Sequence, residues 1–290
     1  MTTTTTTIAM AYAAIYMIWG STYLAIRIGV GAIPPLLLMG VRCTVAGLLL
    51  LAWAAARREH ATVTQWRHAA VAGALMIGIT YGALAWAEQR LTSGIAALLS
   101  ATSPLWLTTM QWSDSGRPAT RTIVGLLLGL AGVAVLVAGE TAGAMNPTAV
   151  AVLIVGTLAW AAGSLYARPP RLPRSATLGA GMPLLLGGLM LLAVSIATRE
   201  PARFDVRIVS RASLWALAYL IVFGSVVAFS AYEWLLRVAS PSRVGTHAYV
   251  NPLVAVALGW SVGGESITAV TGVAALVIAA GVAMVLKGAQ

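Results

Sequence analysis

The chain has 290 residues, of which 59% are hydrophobic and 9% are charged. Soluble domains carry about 25% charged residues, so this chain lacks the charge that would cover a water-soluble core. The composition therefore predicts an integral membrane protein and leaves no room for a separate soluble catalytic domain. The formal net charge of +10 would favour nucleic acid in a soluble protein, but 17 of the 18 basic residues fall at or near the ends of apolar segments. We therefore expect no nucleic-acid partner.

Ten apolar segments of about 20 residues, the length that crosses a bilayer as a helix, follow one another along the chain. Residues 1–7, which contain six threonines, precede them and are predicted to be a disordered tail. Pro34, Pro35 and Pro147 open helices, where the missing N–H costs no hydrogen bond. We predict membrane-spanning helices over residues 8–28, 34–56, 67–88, 93–112, 121–139, 147–167, 176–197, 210–232, 242–261 and 268–286.

The distribution of basic residues predicts the orientation of these spans. With the N-terminus in the cytoplasm, the cytoplasmic loops and the C-terminal tail hold eleven basic residues and the opposite loops hold six. Cytoplasmic loops carry an excess of Lys and Arg, so we predict that both termini are cytoplasmic. Four of the six basic residues on the opposite side lie in the loop 198–211, which conflicts with this assignment.

Three short sequences occur once in each half of the chain, in the same order. The pairs begin at Gly20 and Gly163, at Pro104 and Pro252, and at Ala131 and Ala280, with separations of 143, 148 and 149 residues. Each half contains five predicted spans, so the second half would enter the membrane from the opposite side. The sequence therefore predicts two inverted five-helix repeats, over 8–140 and 146–290, a design used by secondary transporters.

The chain resembles the drug/metabolite transporter superfamily, and specifically its EamA-type ten-helix exporters. The resemblance covers nearly the whole chain. It implies a central cavity between the two repeats and export of small metabolites or amino acids across a bacterial-type inner membrane. It does not imply a substrate, because the superfamily also includes sugar-phosphate and nucleotide-sugar carriers. The residues that carry the resemblance are Trp19-Gly20-Ser21-Thr22-Tyr23, Arg42, Ser93-Gly94-Ile95-Ala96-Ala97, Pro104, Ala248-Tyr249-Val250-Asn251-Pro252 and Gly263-Gly264-Glu265.

Among the aromatic residues within spans, three are candidates for a cavity because of their position away from the interfaces where most membrane tryptophans are found. Trp19 and Trp160 are near the middle of spans one and six, and Tyr81 in span three is flanked by Gly78 and Gly82. Such side chains offer stacking surfaces and hydrogen-bond donors to a solute. We expect them to line a cavity, with ordinary helix packing as the alternative.

Polar residues and prolines in spans four and nine suggest a second part of the site. Ser100 precedes Pro104, and His247 and Asn251 lie one turn apart just before Pro252. A proline within a helix frees a backbone carbonyl, and interrupted helices at matching repeat positions point to binding sites or hinges in transporters. We predict that Ser100, His247 and Asn251 bind substrate and that the prolines act as hinges, although helix–helix contacts explain them equally well.

Charged groups within the spans are few. Arg42 lies roughly 12 Å into span two at 1.5 Å per residue, and Glu88, Glu140 and Glu265 are its candidate partners at one end of the spans. We predict a structural or gating ion pair between Arg42 and a carboxylate such as Glu88, with capture of a substrate carboxylate as the alternative. No carboxylate lies at the centre of a span, where proton-coupled transporters usually carry a titratable group. Transport is therefore either proton-coupled through Glu88 or His247, or facilitated or exchange-driven.

These observations favour a secondary transporter that works by alternating access and is not an enzyme. For substrate we favour aromatic or neutral amino acids because of the aromatic residues within spans. A small lipophilic drug or a nucleoside-type metabolite is the alternative. An intramembrane enzyme would need a constellation such as a buried Ser–His pair, and nothing indicates a charged pore ring. We expect no metal and no cofactor; the sequence leaves the monomer and the homodimer open.

Overall fold

Every regular element of the computed structural model is helical within the described residues, which are 5–115, 119–139, 146–167, 171–239, 244 and 247–288. Two short 3-10 turns, Pro201–Arg203 and Val206–Ile208, lie in the longest described loop. The helices are α1 (Thr5–Val30), α2 (Pro35–Ala56), α3 (Val63–Ala87), α4 (Ser93–Ser100), α5 (Ser103–Ser115), α6 (Thr120–Gly139), α7 (Pro147–Tyr166), α8 (Ala176–Ala197), α9 (Arg211–Tyr219, Leu220–Val227 and Ala228–Val238), α10 (His247–Ser261) and α11 (Ala269–Gly288).

Six of the described helices are long and apolar enough to cross a membrane, namely α1, α2, α3, α7, α8 and α9. Shorter apolar stretches lie where spans four, five, nine and ten were predicted. Large apolar side chains such as Leu127 and Leu276 are exposed on the helix surfaces, as expected for helices that face lipid. The prediction of an all-helical, multi-pass membrane protein is confirmed. The shorter stretches are Ser93–Leu107, Thr120–Gly132, Val250–Ser261 and Ala269–Gly281.

Several helices begin at a residue whose side chain accepts a hydrogen bond from the first turn. At α3, Thr62 accepts from the backbone N–H of Gln65, and the Gln65 side chain in turn accepts from the N–H of Thr62. This reciprocal arrangement satisfies backbone donors that have no partner inside the helix. Ser, Thr and Asn before an apolar run therefore fix where the helices start. The other residues in this role are Thr92, Asn146, Ser175 and Ser210.

The segment predicted as one kinked span, 93–112, is divided into two helices. Helix α4 ends at Ser100 and α5 begins at Ser103, with a turn between them. Pro104 therefore lies in the first turn of α5, where its missing N–H interrupts no helical hydrogen bond. The carbonyl of Ser100 accepts a hydrogen bond from the Ser103 hydroxyl at 2.7 Å. Pro252, by contrast, lies inside α10 as predicted.

Helices α2 and α8 pack together through glycines that make reciprocal contacts. A Cβ added at Gly47 would lie 2.5 Å from the backbone nitrogen of Leu185, and one added at Gly188 would lie 2.5 Å from the backbone nitrogen of Thr44. Leu185 follows Thr44, and Gly188 follows Gly47, by the same 141 positions. Absence of a side chain at these glycines lets the two backbones approach closely, as is common between membrane helices.

The ends of α2 and α8 are joined by two glutamates, also 141 positions apart. Glu59 follows α2 and accepts a hydrogen bond from Ser175, the residue that caps α8. Glu200 follows α8 and accepts from the backbone N–H of Leu37, in the first turn of α2, at 2.9 Å. A carboxylate at a helix N-terminus is favoured by the helix dipole. These bonds hold each end of α2 against the opposite end of α8.

Two further features occur once in each half. Helices α6 and α11 pack closely, since a Cβ at Gly132 would lie 2.9 Å from the backbone nitrogen of Ile278 and one at Gly281 would lie 2.5 Å from that of Gly129. Helices α3 and α9 each contain a π-helical segment, Ala74–Ile79 and Leu220–Val227. Such segments are uncommon and often accompany functional sites. Here they flank the largest buried cluster of the protein.

Candidate solute-binding site

Ring side chains from three other helices surround Trp19 of α1. The ring centroid of Trp19 lies 5.0 Å from that of Tyr232 and 6.2 Å from that of Phe229, both on α9. It lies 5.3 Å from His247 on α10 and 6.5 Å from Trp160 on α7, with an interplanar angle of 88° to Trp160. Edge-to-face contacts at these distances are favourable for aromatic pairs. The two tryptophans predicted to line a cavity are therefore in direct contact.

Tyr81 of α3 extends this cluster. Its ring is nearly parallel to that of Trp160, with an interplanar angle of 6° and centroids 6.3 Å apart. The guanidinium of Arg42 lies over the ring of Tyr81, with its Cζ atom 4.9 Å from the ring centroid. A guanidinium over an aromatic face is attracted by the ring quadrupole. The cluster is therefore a continuous series with a cation at one end and indole and phenol rings along its length.

Arg42 is 2% exposed and lies in the middle of α2. Its Nε donates a hydrogen bond to the Ser225 hydroxyl at 2.9 Å, and Nη1 lies 3.7 Å from the sulfur of Met39. The predicted ion pair with Glu88 or Glu265 is not seen among the described residues; Glu140 lies outside them. The charge of Arg42 is thus held by a hydroxyl, a sulfur and an aromatic ring rather than by a carboxylate.

The two π-helical segments position the residues around Arg42. Tyr81 comes two residues after the segment in α3, and Phe229 comes two residues after the segment in α9. Within the α9 segment, Ser225 binds Arg42, and the carbonyl of Gly224 accepts a hydrogen bond from Nε1 of Trp19 at 3.1 Å. The wider turn therefore directs both a hydroxyl and a backbone acceptor toward the cluster.

His247 and Asn251 of α10 lie on the other side of Trp19. The Nδ1 atom of His247 is 2.9 Å from the carbonyl oxygen of Val244, which holds one edge of the imidazole. Asn251 is buried, and its backbone carbonyl packs against α1 at Gly20, next to Trp19. Pro252 is also buried. The structure thus brings His247 into the aromatic cluster and places Asn251 at the contact between α1 and α10.

Ser100, at the end of α4, donates its hydroxyl hydrogen to the carbonyl of Ala96 at 2.7 Å. This bond is internal to the helix, so the hydroxyl oxygen can serve a solute only as an acceptor. Pro104 is half-buried at the start of α5. The structure thus places these two residues at a break between helices, where the backbone can change direction.

Glu88 follows the last residue of α3 and is fully buried, and neither carboxylate oxygen has a hydrogen-bond partner among the described residues. Its backbone carbonyl accepts a hydrogen bond from Arg27, which also donates to the carbonyl of Leu91 at 2.6 Å. Glu265 binds the backbone N–H of Ser93 at 2.9 Å. Arg27 and Glu265 also line a cavity of about 220 Å³. Glu88 thus lies beneath the corner between α3 and α4 and makes no hydrogen bond to Arg42.

Four residues of the site were not predicted from the sequence: Gly224, Ser225, Phe229 and Tyr232. All lie on α9, a strongly apolar segment in which a lone serine or glycine is unremarkable. The repeat provides a signal that could have found one of them, because Phe229 lies 148 positions after Tyr81, the same separation as between Pro104 and Pro252. Chemically, the site offers flat apolar surfaces, one cation and a few hydrogen-bonding groups. No cluster of three metal-binding side chains occurs within the described residues.

The sequence matches the EamA-like transporter family over residues 6–138 and again over residues 147–287. The chain belongs to this family. Over 279 residues it is 38% identical to the "Uncharacterized inner membrane transporter YedA" of Escherichia coli K12, covering 95% of this chain and 89% of YedA. Over 246 residues it is 28% identical to "Protein PecM" of Dickeya dadantii, covering 84% and 80% of the two chains.

One solved crystal structure shares the fold, with a TM-score of 0.69 and 19% sequence identity over 97% of this chain and 96% of the other. The resemblance to EamA-type transporters that the motifs indicated is therefore confirmed. Membership in the EamA-like family, together with the apolar helices, identifies a multi-pass membrane protein of the drug/metabolite transporter type. The aromatic cluster with Arg42 is accordingly a candidate site for a transported solute.

Proposed function

We propose that the chain forms ten membrane-spanning helices arranged as two inverted five-helix repeats. The reciprocal contacts between α2 and α8, and between α6 and α11, support this arrangement. In the α2–α8 pair, Gly47 contacts Leu185, and its counterpart Gly188 contacts Thr44, which is the counterpart of Leu185. The α6–α11 pair shows the same exchange between Gly132 with Ile278 and Gly281 with Gly129. Such reciprocity is what a twofold relation between two helices produces. The π-helical segments in α3 and α9 agree with it.

We infer that this protein exports small metabolites across a bacterial-type inner membrane by alternating access, with both termini in the cytoplasm. The observation that carries this proposal is the aromatic cluster. It draws Trp19 and Tyr81 from one half of the chain, and Trp160 and His247 from the other. A solute bound there would contact both halves, so their relative movement would open the site to one side of the membrane and then the other.

The substrate class that fits this site best is aromatic or neutral amino acids. Indole and phenol rings provide large apolar surfaces that stack on a side chain. His247, Asn251 and the carbonyl freed by Pro252 would bind polar groups of the solute, and Ser100 would contribute an acceptor from the break between α4 and α5. A small lipophilic drug or a nucleoside-type metabolite is the competing substrate, since the same rings would stack on it.

Proton coupling through Glu88 is a further part of this proposal. A carboxylate that is buried without a hydrogen-bond partner is costly in its charged form, and Arg27, Glu265 and Arg42 act on it electrostatically. Uptake and release of a proton by this group would accompany movement of the corner between α3 and α4. Glu88→Gln would then abolish acceleration of transport by an imposed pH gradient while counterflow without a gradient continues.

Counterflow in proteoliposomes tests the proposed function. Vesicles would be preloaded with one unlabelled amino acid, and entry of the labelled amino acid would be followed for the wild type, Trp160→Ala and Trp215→Ala. Trp215 is the matched control because it is 76% exposed on α9 and lies outside the cluster. We expect counterflow in the wild type and Trp215→Ala, and loss of counterflow in Trp160→Ala.

Absence of counterflow with every amino acid, in protein shown to be folded, would reject the amino-acid assignment. Drug-like cations and nucleosides would then be tested in the same vesicles. Counterflow that persists unchanged in Trp160→Ala would remove the aromatic cluster from the transport path.

A further inference from the structure

The buried guanidinium of Arg42 makes no hydrogen bond or ion-pair contact with a carboxylate among the side chains that the structure describes. Its partners are Ser225, Met39 and the ring of Tyr81. An isolated charge in a low-dielectric interior costs several kcal/mol, and charged residues within membrane spans are usually paired or functional. The question is therefore which anion completes this site.

Nearby helix-end carboxylates already bind other groups. Glu265 accepts hydrogen bonds from the first turn of α4, and Glu200 accepts from the first turn of α2 and from Ser195. Glu59 accepts from Ser175. Each of these carboxylates stabilises a helix end and is thereby held away from Arg42. Glu88, the carboxylate that is fully buried, interacts with Arg42 electrostatically but makes no hydrogen bond to it. The hydrogen-bonding positions of Arg42 therefore stay open to an anion from outside this set.

Arg42 is fixed on one edge and one face. Nε is bound by Ser225, and the face of the guanidinium lies over Tyr81. A guanidinium carries five N–H donors, and Nη2 makes no hydrogen bond to any described residue. A Cβ added at Gly224 would lie 3.0 Å from Nη2. Because glycine has only a hydrogen in place of a side chain, the guanidinium of Arg42 can occupy this space.

The structure also contains a nearly equivalent contact without a charge. We call Arg42 with Gly224 and Ser225 the Arg42 contact, and Pro183 and Gly187 with Gly73 and Ile77 the Pro183 contact. Pro183 lies 141 positions after Arg42, the separation that relates α8 to α2, and Ile77 lies 148 positions before Ser225. At the Pro183 contact α8 packs against the start of the π-helical segment of α3 through backbone atoms and the Ile77 side chain. Helix packing at such a contact therefore does not require a cation.

We propose that Arg42 binds the carboxylate of the transported solute, so that the substrates are small monoanionic or zwitterionic carboxylic acids with an apolar or aromatic body. This inference rests on the proposed transport function and names its substrate class. A single guanidinium matches a single carboxylate in charge and in planar geometry. From Arg42 the solute body would extend along Tyr81 and Trp160 toward Trp19.

The matched probes are 3-phenylpropionate and 3-phenylpropionamide, which have the same shape and differ in charge. Their binding to the purified protein would be measured by isothermal titration calorimetry at pH 7, with phenyl phosphate as a dianionic comparison. We expect the wild type to bind the carboxylate more tightly than the amide. Arg42→Gln should weaken carboxylate binding by about 10- to 100-fold, as expected for a hydrogen bond to a charged group, and leave amide binding unchanged.

Two further variants keep the test decisive. Arg42→Lys retains the charge and should keep the preference for the carboxylate, which guards against an Arg42→Gln protein that fails to fold. Arg90→Gln removes a cation that lies over Trp86, outside the site, and should behave as the wild type.

Equal binding of carboxylate and amide to the wild type, equal weakening of both by Arg42→Gln, or binding of neither would overturn the proposal. Tighter, Arg42-dependent binding of phenyl phosphate would overturn the assignment to carboxylic acids. This measurement does not depend on transport. A clear carboxylate preference without amino-acid counterflow would retain the inference and reject only the amino-acid assignment.

Discussion

The Arg42 contact and the Pro183 contact perform the same packing task with opposite chemistry. In both, a helix of the α2–α8 pair crosses a π-helical segment. At the Pro183 contact the backbones touch: a Cβ at Gly73 would lie 2.7 Å from the carbonyl oxygen of Pro183. At the Arg42 contact a long charged side chain and a hydroxyl fill the space instead. The apolar contact is built for close packing, and the polar one holds a charge that packing does not require.

Pro183→Arg would transfer the cation to the apolar contact and should have the largest effect. The backbones of the two helices touch there, so an unpaired guanidinium in the membrane interior should lower the free energy of unfolding by about 2.5–3.5 kcal/mol. Unfolding of the purified protein by SDS titration measures this. Pro183→Ala is the control, and a loss of the same size in the control would show that the proline, not the charge, is responsible.

Gly73→Ala and Gly224→Ala compare the tolerance of the two contacts to one methyl group. At Gly73 the nearest atoms belong to the backbone of α8, which cannot move aside, so we expect a loss of about 1–3 kcal/mol in unfolding free energy. At Gly224 the nearest atoms are side-chain atoms of Arg42 and Thr22 at 3.0 Å. Gly224→Ala should therefore cost less in the same SDS titration. A larger loss at Gly224 would contradict this view of the two contacts.

Ser225→Ala should have a smaller effect, and one confined to binding. Without the hydroxyl, Nε of Arg42 loses its acceptor and the guanidinium loses its fixed edge. We expect the affinity for 3-phenylpropionate to fall by about 2- to 10-fold, while the affinity for the amide stays the same. Calorimetry on both probes checks this, and an equal fall for both would indicate a general distortion of the site.

Arg42→Met should have the smallest effect on stability. Replacing a buried charge by an apolar side chain of similar length is often neutral or stabilising, so the free energy of unfolding should stay the same or rise. Binding of the carboxylate should nevertheless fall as it does in Arg42→Gln. Marked destabilisation of Arg42→Met would instead assign Arg42 a structural role. The Pro183 contact would then not be a valid comparison for the Arg42 contact.

The composition and the apolar segments of the sequence by themselves determined a multi-pass helical membrane protein, and the motifs around Trp19, Arg42 and Pro252 indicated its family. These features are local, because a run of about 20 apolar residues can satisfy its backbone in lipid only as a helix. Trp19 and Trp160, each singled out as a large aromatic residue within a span, are in contact in the structure, and their role in binding a solute stays a prediction.

Only the tertiary structure decided what surrounds Arg42. Sequence reasoning paired it with a carboxylate such as Glu88, but Glu265 is bound at a helix end and Glu88 makes no hydrogen bond to Arg42. Ser225 instead reaches Arg42 through a π-helical turn that apolar periodicity does not reveal. The break between α4 and α5 at Ser100 was missed for a similar reason. Partners across helices depend on how each helix is rotated and how closely it approaches its neighbour. In this fold the glycine contacts between helices set that approach. The sequence of a single helix does not show which residues of another helix its glycines will meet.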